Sequence, residues 1–503
     1  MTDTNGRIDP AFTALPHESL ADAALEKAKT LGATYADFRF ERHKGQSIRT
    51  RDRNLEGLTN TEAVGYAVRL VHKGAWGFAA STDLRPDAAA DCAARALEVA
   101  ETLAALNSEP VELADEAPHD DVFVSAYSTD PFTIPDSDKI DFALGINDKV
   151  LSSNKVDHVD FTIRQVLENK YFASLEGSRV VQQRVRVYGD FEATRIDKDA
   201  GAFDTMRSNS LPRGRGWEVF ASDYDYAKDA EEIPGLLEEK MKSRTVEPGK
   251  YDLVIDPTNL WLTIHESIGH ATELDRALGY EAAYAGTSFA TIDKLNNLQY
   301  GSPVMHITGD RVVEYGLSTV GYDDEGVKAQ QWDLIKDGIL VGYQLNRQMA
   351  HKQGFGRSNG CAFADSPGHV PLQRMPNVTL QPGNDDTTLE DLIGGVEHGI
   401  YIVGDKSWSI DMQRYNFQFT GQKFYEIRSG KIVGQLKDAA YQATTTDFWN
   451  AMEAVGGPST FVLGGAFNCG KGQPGQIAPV SHGAPAALFR QINILNTAME
   501  GGR

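Results

Sequence analysis

Cysteine is scarce in this chain, three in 503 residues, which excludes a disulfide scaffold and suits a reducing compartment. Long apolar runs are missing too: nothing approaches the roughly 18–20 consecutive apolar residues that a membrane-spanning helix needs. Positive charge is in the minority. There are 49 Lys and Arg against 71 Asp and Glu, for a net charge of −22, and such a balance opposes binding to phosphate backbones or anionic lipid. The amino terminus, MTDTNGRIDPAF, lacks the basic start and apolar stretch of a secretion signal. These absences lead to the expectation of a soluble, acidic, cytoplasmic protein with no nucleic-acid or membrane partner. What is present is ordinary globular usage, 41% hydrophobic and 24% charged, which rules out disorder, collagen or coiled coil as whole-chain descriptions. The length exceeds what one core organises, so two or more domains are expected.

The first hundred residues alternate helix and strand patterns. A helical stretch over Ser19 to Leu31 precedes strand patterns at Tyr35–Phe40, Val64–Val71 and Ala75–Ala80, and Asp87 to Leu106 has the three- and four-residue spacing of an amphipathic helix. Residues 107–139 turn acidic and carry Pro110, Pro118, Pro131 and Pro135, the signature of a linker or surface excursion. Strand patterns return over Val156 to Val219, and Glu231 to Lys242 predicts one more helix. The best boundary is Val246-Glu247-Pro248-Gly249-Lys250, dividing the chain into 1–245 and 246–503. Beyond Leu274 short strands dominate, with Asp337-Gly338 and Ser429-Gly430 as hairpin turns. The expected fold class is α+β: an N-terminal α/β domain, then a mainly antiparallel β domain, barrel-like or sandwich-like.

The sharpest chemistry sits in that second half. A buried-strand pattern, Tyr251–Ile255, leads through Asp256-Pro257 into a helix, with Asp256 suited to the N-cap and Pro257 to the first turn. On this helix lies His265-Glu266-Ser267-Ile268-Gly269-His270. Two imidazoles and a carboxylate are the parts of a hydrolytic zinc centre, the histidines binding metal and the glutamate deprotonating or positioning a metal-bound water. In the familiar H-E-x-x-H spacing the histidines lie about 40° apart around the helix, whereas here the second is at i+5, about 140° away. Either the helix widens into a π-bulge or it ends near Gly269. A third ligand must come from elsewhere. Cys469, in the glycine-rich run Gly464–Pro474, is favoured, with Cys361 the competing thiolate and Cys92 more suited to packing in its helix.

With these landmarks the chain resembles the TldD/PmbA family of modulators of gyrase, in its TldD-like metallopeptidase branch. Resemblance runs from Gly32–Asp37 and Gly74–Ala79, through the His265–Glu273 helix, Gly356-Arg357, Arg374–Asn377 and His398–Tyr401, to Asn468-Cys469-Gly470-Lys471. It implies one zinc per chain held by His265, His270 and Cys469, with Glu266 as catalytic base. It also implies hydrolysis of unfolded peptides, and assembly as a homodimer or as a heterodimer with a PmbA-like (TldE) subunit. A non-catalytic assembly subunit with a structural metal is the alternative. Glu273 matches an acidic position able to orient a ligating imidazole. Arg357 and Arg374 are candidates for holding the peptide. His482 is not a family feature and is a candidate for contact with substrate or metal.

Other motifs are weaker. Gly356-Arg357-Ser358-Asn359-Gly360 fits G-x-S-x-G without the strand before it or the helix after it. Gly470–Gly475 fits G-x-G-x-x-G with Pro474 inside the loop. Asn377-Val378-Thr379 is a glycosylation sequon with no secretion signal to accompany it.

Overall fold

A computed structural model describes residues 7–500; the first six residues of the stretch read for a secretion signal lie outside it. The first half is built on one antiparallel sheet of long strands: β1 (Tyr35–Arg51), β2 (Asn54–His72), β3 (Ala75–Ser81), β4 (Asp120–Val124), β5 (His158–Ser174), β6 (Arg179–Asp197) and β7 (Ala202–Arg207). The order is β3-β2-β1-β5-β6-β4, with β7 also on β6, and only the β4–β6 pairing is parallel. Strand alternation divides this sheet into two unlike faces. Phe38, Phe40 and Ile48 of β1 share a face with Phe161, Ile163 and Tyr171 of β5. Helices α1 (His17–Thr30), α2 (Pro86–Ala104), α3 (Asp136–Leu151) and α4 (Tyr226–Lys242) cover that face in two clusters.

The opposite face carries Asp37, Arg39, Glu41, Glu168, Lys170, Arg184 and Arg186, all buried because the second half of the chain packs against it. Ion pairs cross this seam: Arg69 with Glu325 at 3.1 Å, Lys170 with Asp324 at 2.8 Å, and Arg347 with Glu176 at 2.6 Å. Such an array is matched charge against charge, since a lone buried ion would cost several kcal/mol.

The second half contains a closed five-stranded barrel. Its strands are β8 (Gly249–Ile255), β9 (His398–Ile410), β10 (Asn416–Arg428), β11 (Ala439–Thr444) and, after a two-stranded hairpin of β12 (Val462–Lys471) and β13 (Gln476–Ala484), β14 (Ala487–Asn496). The ring runs β9-β8-β14-β11-β10 and closes through β10–β9. Only β8–β9 is parallel. Helix α5 (Pro257–Ile264) leaves β8 and packs onto the barrel: Asn259 Nδ2 donates to the carbonyls of Gly404 and Thr420, and Tyr441 donates to Asn259. Leu260, Ile264 and Ile268 share one core with Leu253, Ile400, Phe417 and Phe489.

The fold is α+β with a barrel carrying the helix, as the sequence predicts. Residues 107–139 need correction. They include β4 and the first turn of α3, and three of their acids reach the second half: Glu109 pairs with Lys352, Glu112 with His351 at 2.7 Å and Glu116 with Arg357 at 2.6 Å. The excursion is therefore a strap across both halves. Strand structure also ends at Arg207 rather than Val219, where the chain forms a π turn instead.

Candidate metal centre

Asp256 caps α5 by accepting from Thr258 N at 2.9 Å, with Pro257 in the first turn. After Ile264 the helix widens. His265–Gly269 is a π turn, closed by donation from His270 N to His265 O at 3.0 Å. Of the two geometries open to an i+5 pair, the wider turn is the one formed, and it brings the rings of His265 and His270 to 4.6 Å between centroids. Gly269 has another role than backbone freedom: a Cβ there would meet Met375 Sδ at 2.5 Å. The glycine lets Met375 pack against the turn.

Cys469 reaches the histidines from β12. Its Sγ lies 3.6 Å from His270 Nε2, and ligand atoms of His265, His270 and Cys469 all lie within 4.8 Å of one another. Cys361 is elsewhere, buried against Asn359, its thiol pushed up to about 12 by burial. Cys92 lies on α2 and packs into the core from it.

The hydrogen bonds behind the histidines assign their tautomers. The Val378 carbonyl can only accept, so His482 Nδ1 donates to it at 3.1 Å. His482 Nε2 then accepts from His265 Nδ1 at 2.7 Å, which leaves the His265 Nε2 lone pair for a ligand. On the other side His270 Nδ1 donates to Glu273 at 2.8 Å, so His270 also offers Nε2. Burial lowers the pKa of all three histidines. The Cys469 thiol is raised by burial but lowered more by His270 and Arg374, and ends below its ordinary value. Two neutral imidazoles and a sulfur inclined to ionise make a donor set that fits zinc.

Glu273 belongs to a buried ionic cluster. Lys471, two residues beyond Cys469, lies 3.1 Å from Glu273, 2.9 Å from Asp275 and 3.3 Å from Glu281. Burial would raise the Glu273 carboxyl, but Lys471, His270 and Arg276 outweigh it and hold it well below the usual range. Glu266 receives Arg414 Nη1 at 2.6 Å. Arg414 sits in the turn between β9 and β10, 148 residues away, and nothing in the local sequence marks it.

These groups open onto a cleft of about 480 Å³. His265, Glu266, His270 and Cys469 line it, with Trp261, Trp408 and Phe467 as walls. Arg164, Tyr188 and Arg207 of the N-terminal sheet close its far side.

Three residues expected at the substrate stand elsewhere. Arg357 pairs with Glu116 on the surface, outside the cleft lining. Arg374 is buried and donates to the carbonyls of Cys469 and Gln476, so it braces the cysteine strand. His482, fully buried behind His265, touches neither cleft nor ligand space directly. Ser358 gives its hydroxyl to the Leu345 carbonyl and is no nucleophile, and the buried Asn377 accepts from the Ser318 and Ser481 amides.

The sequence and the fold both match known proteins. The profile of the PmbA/TldA metallopeptidase C-terminal domain matches residues 248–496, and that of PmbA/TldA metallopeptidase domain 1 matches residues 36–100. A metalloprotease of Methanothermobacter thermautotrophicus is 28% identical over 93% of this chain and 95% of its own length. A zinc metalloprotease TldD homolog of Saccharolobus solfataricus is 24% identical over 93% and 98%. The crystal structure of TldE from Thermococcus kodakarensis shares the fold, with a TM-score of 0.67 at 15% identity over 94% of this chain and 99% of that one. The chain belongs to the PmbA/TldD family of metallopeptidases.

Proposed function

We propose that this member of the family is a zinc-dependent peptidase, with one zinc per chain held by His265 Nε2, His270 Nε2 and Cys469 Sγ. The observation that carries this reading is the pair of backing hydrogen bonds, His482 to His265 and Glu273 to His270, which turn both Nε2 lone pairs toward one sulfur. Zinc bound there supplies a Lewis acid that polarises the scissile carbonyl and makes water more acidic. Glu266 takes the proton of the attacking water and passes it to the leaving amine. Arg414 Nη1, 2.6 Å away, holds that carboxylate in place.

The peptide is held as an added strand. Among the described residues β12 pairs on one side only, with β13, and its residues Gly465 to Gly470 line the cleft. Edge-strand pairing reads main chain rather than side chain, which suits unfolded peptides of varied sequence. The likeness to TldE supports a paired assembly with a subunit of that type. A purely structural metal is disfavoured by Glu266, a carboxylate that lines the cleft beside the ligands.

The test is metal content and hydrolysis measured together. Wild-type protein should carry about one zinc per chain and cleave an unstructured peptide, alone or with a TldE-like partner. Glu266→Gln should keep the zinc and lose most turnover. Turnover unchanged in that variant removes Glu266 from the chemistry.

A further inference from the structure

The strand that carries Cys469 is not regular. Ala466 pairs with Val480 and Cys469 with Ala478, so Phe467 and Asn468 stand together opposite Pro479 alone. Residues three apart on a regular strand point to opposite faces. The extra residue puts Ala466 and Cys469 on the same face, and both line the metal cleft.

The same device recurs on β9, a strand of the barrel. Asp405 pairs with Gly421 and Trp408 with Phe419, which leaves Lys406 and Ser407 opposite Thr420. Inside this bulge Thr420 Oγ1 accepts from Ser407 N at 2.8 Å. Asp405 and Trp408 thereby share a face, and again both line the cleft. One bulge delivers the sulfur; the other delivers an indole.

That indole differs from the other rings of the cleft. Trp261 donates to Asp405 at 3.1 Å and stacks on His482 with 6.2 Å between centroids. Phe467 stacks on Tyr188, also at 6.2 Å. Trp408 is 54% exposed, between the exposed polar residues Lys406, Ser407 and Ser409. Among the described residues no hydrogen bond or ring contact engages it. A large exposed ring in a cleft wall gains from being covered by another apolar group. The charges around it are mostly matched: Asp405 pairs with Arg207 at 2.8 Å and Glu266 with Arg414 at 2.6 Å. Of the carboxylates and guanidinium groups lining the cleft, Arg164 alone lacks an opposite charge, which makes an acidic side chain the rival occupant.

We propose that Trp408 is a specificity-determining residue, and that it takes a large apolar side chain, aromatic or branched aliphatic, from the peptide. The metal ligands and Trp408 share one cleft of about 480 Å³, and an extended chain advances roughly 3.3 Å per residue. The side chain that reaches the indole therefore belongs to a residue at or next to the cut bond. This rests on the peptidase reading and adds a rule to it. Pairing along β12 accepts any main chain, while Trp408 favours segments bearing the side chains that a folded protein buries. Cleavage is thereby directed to stretches exposed by unfolding.

The test uses a labelled decapeptide of Gly, Ser and Ala with one central guest: Phe, Leu, Ala, Asp or Lys. Each is titrated by fluorescence anisotropy onto full-length, zinc-loaded Glu266→Gln protein. The Phe and Leu guests should bind on the order of 10- to 100-fold more tightly than the Ala guest, the range for burying one large apolar side chain. Adding Trp408→Ala should bring that ratio toward one, and Trp408→Phe should keep most of it. Trp408 is exposed, so neither variant removes a core contact. Equal binding of all guests, binding of none, a preference for Asp or Lys, or a Phe preference that survives Trp408→Ala would overturn the proposal. So would its equal loss in Trp408→Phe, or wild-type cleavage, mapped by mass spectrometry, at bonds remote from the Phe guest. Preferential binding with no cleavage at all leaves the subsite standing and removes the peptidase reading.

Discussion

His265 Nδ1 donates to His482 Nε2 across 2.7 Å, and that imidazole is in turn fixed by the Val378 carbonyl. A buried histidine that touches no substrate thereby sets which nitrogen of a ligand is free. His482→Ala should weaken zinc binding on the order of 10- to 100-fold without removing a ligand. Competition with a chelator of known affinity measures this. Unaltered affinity would mean that the His265 ring is held by packing alone.

Arg414 acts through Glu266. Replacing it by Met should lower kcat about tenfold or more, the scale of a lost charge-assisted contact, with zinc content unchanged. A rise in KM alone would make Arg414 a substrate contact instead.

The π turn depends on a small residue. Gly269→Ala sets a methyl against Met375, which is 1% exposed and has little room to retreat. A cost of about 1–3 kcal/mol is expected from overpacking. Adding Met375→Ala should recover part of it, read as the shift in urea midpoint. A second substitution that only adds to the loss would show that the strain lies in the backbone.

Glu41 makes stability depend on pH. Burial raises its carboxyl, but Lys170, Arg39 and His43 outweigh burial and bring it down to about 2. Its stabilising share is full above the unfolded value near 4.5 and is lost as pH falls from there toward 2, on the order of 3 kcal/mol in all. Urea unfolding at pH 7 and pH 3 should show a smaller drop for Glu41→Gln than for wild type, starting from a less stable protein.

The sequence exposes what depends on local spacing. An i+5 histidine pair has few geometries that work, so six residues narrowed the site to a widened turn or a helix end near Gly269, and the Asp256-Pro257 helix start was legible directly; the choice of the widened turn came with the structure. The β-rich second half was legible from turn signals, but closure of the barrel was not, because it depends on which distant strands pair. Helix α3 was hidden behind Pro135 and its own acids, although Asp136 and Asp138 in the first turn suit a helix N-terminus. Arg357 has a cleft arginine's chemistry, and only the fold reveals that Glu116 takes it. His482 and Arg414 act across 217 and 148 residues, distances at which composition carries no signal. Trp408 was readable as a strand residue, and the face it takes emerges only with the register.

The three proposed ligands come from the two ends of the second half: His265 and His270 just after its first barrel strand, Cys469 on the hairpin before its last. During synthesis the histidines emerge long before the sulfur. A growing chain thus carries half a site, which holds zinc weakly, and the cutting edge is assembled only when the barrel is ready to shut. On the peptidase reading proposed above, timing of this kind is a safeguard: the nascent protein is itself an unfolded peptide, and it gains the means to cut one as it ceases to be one.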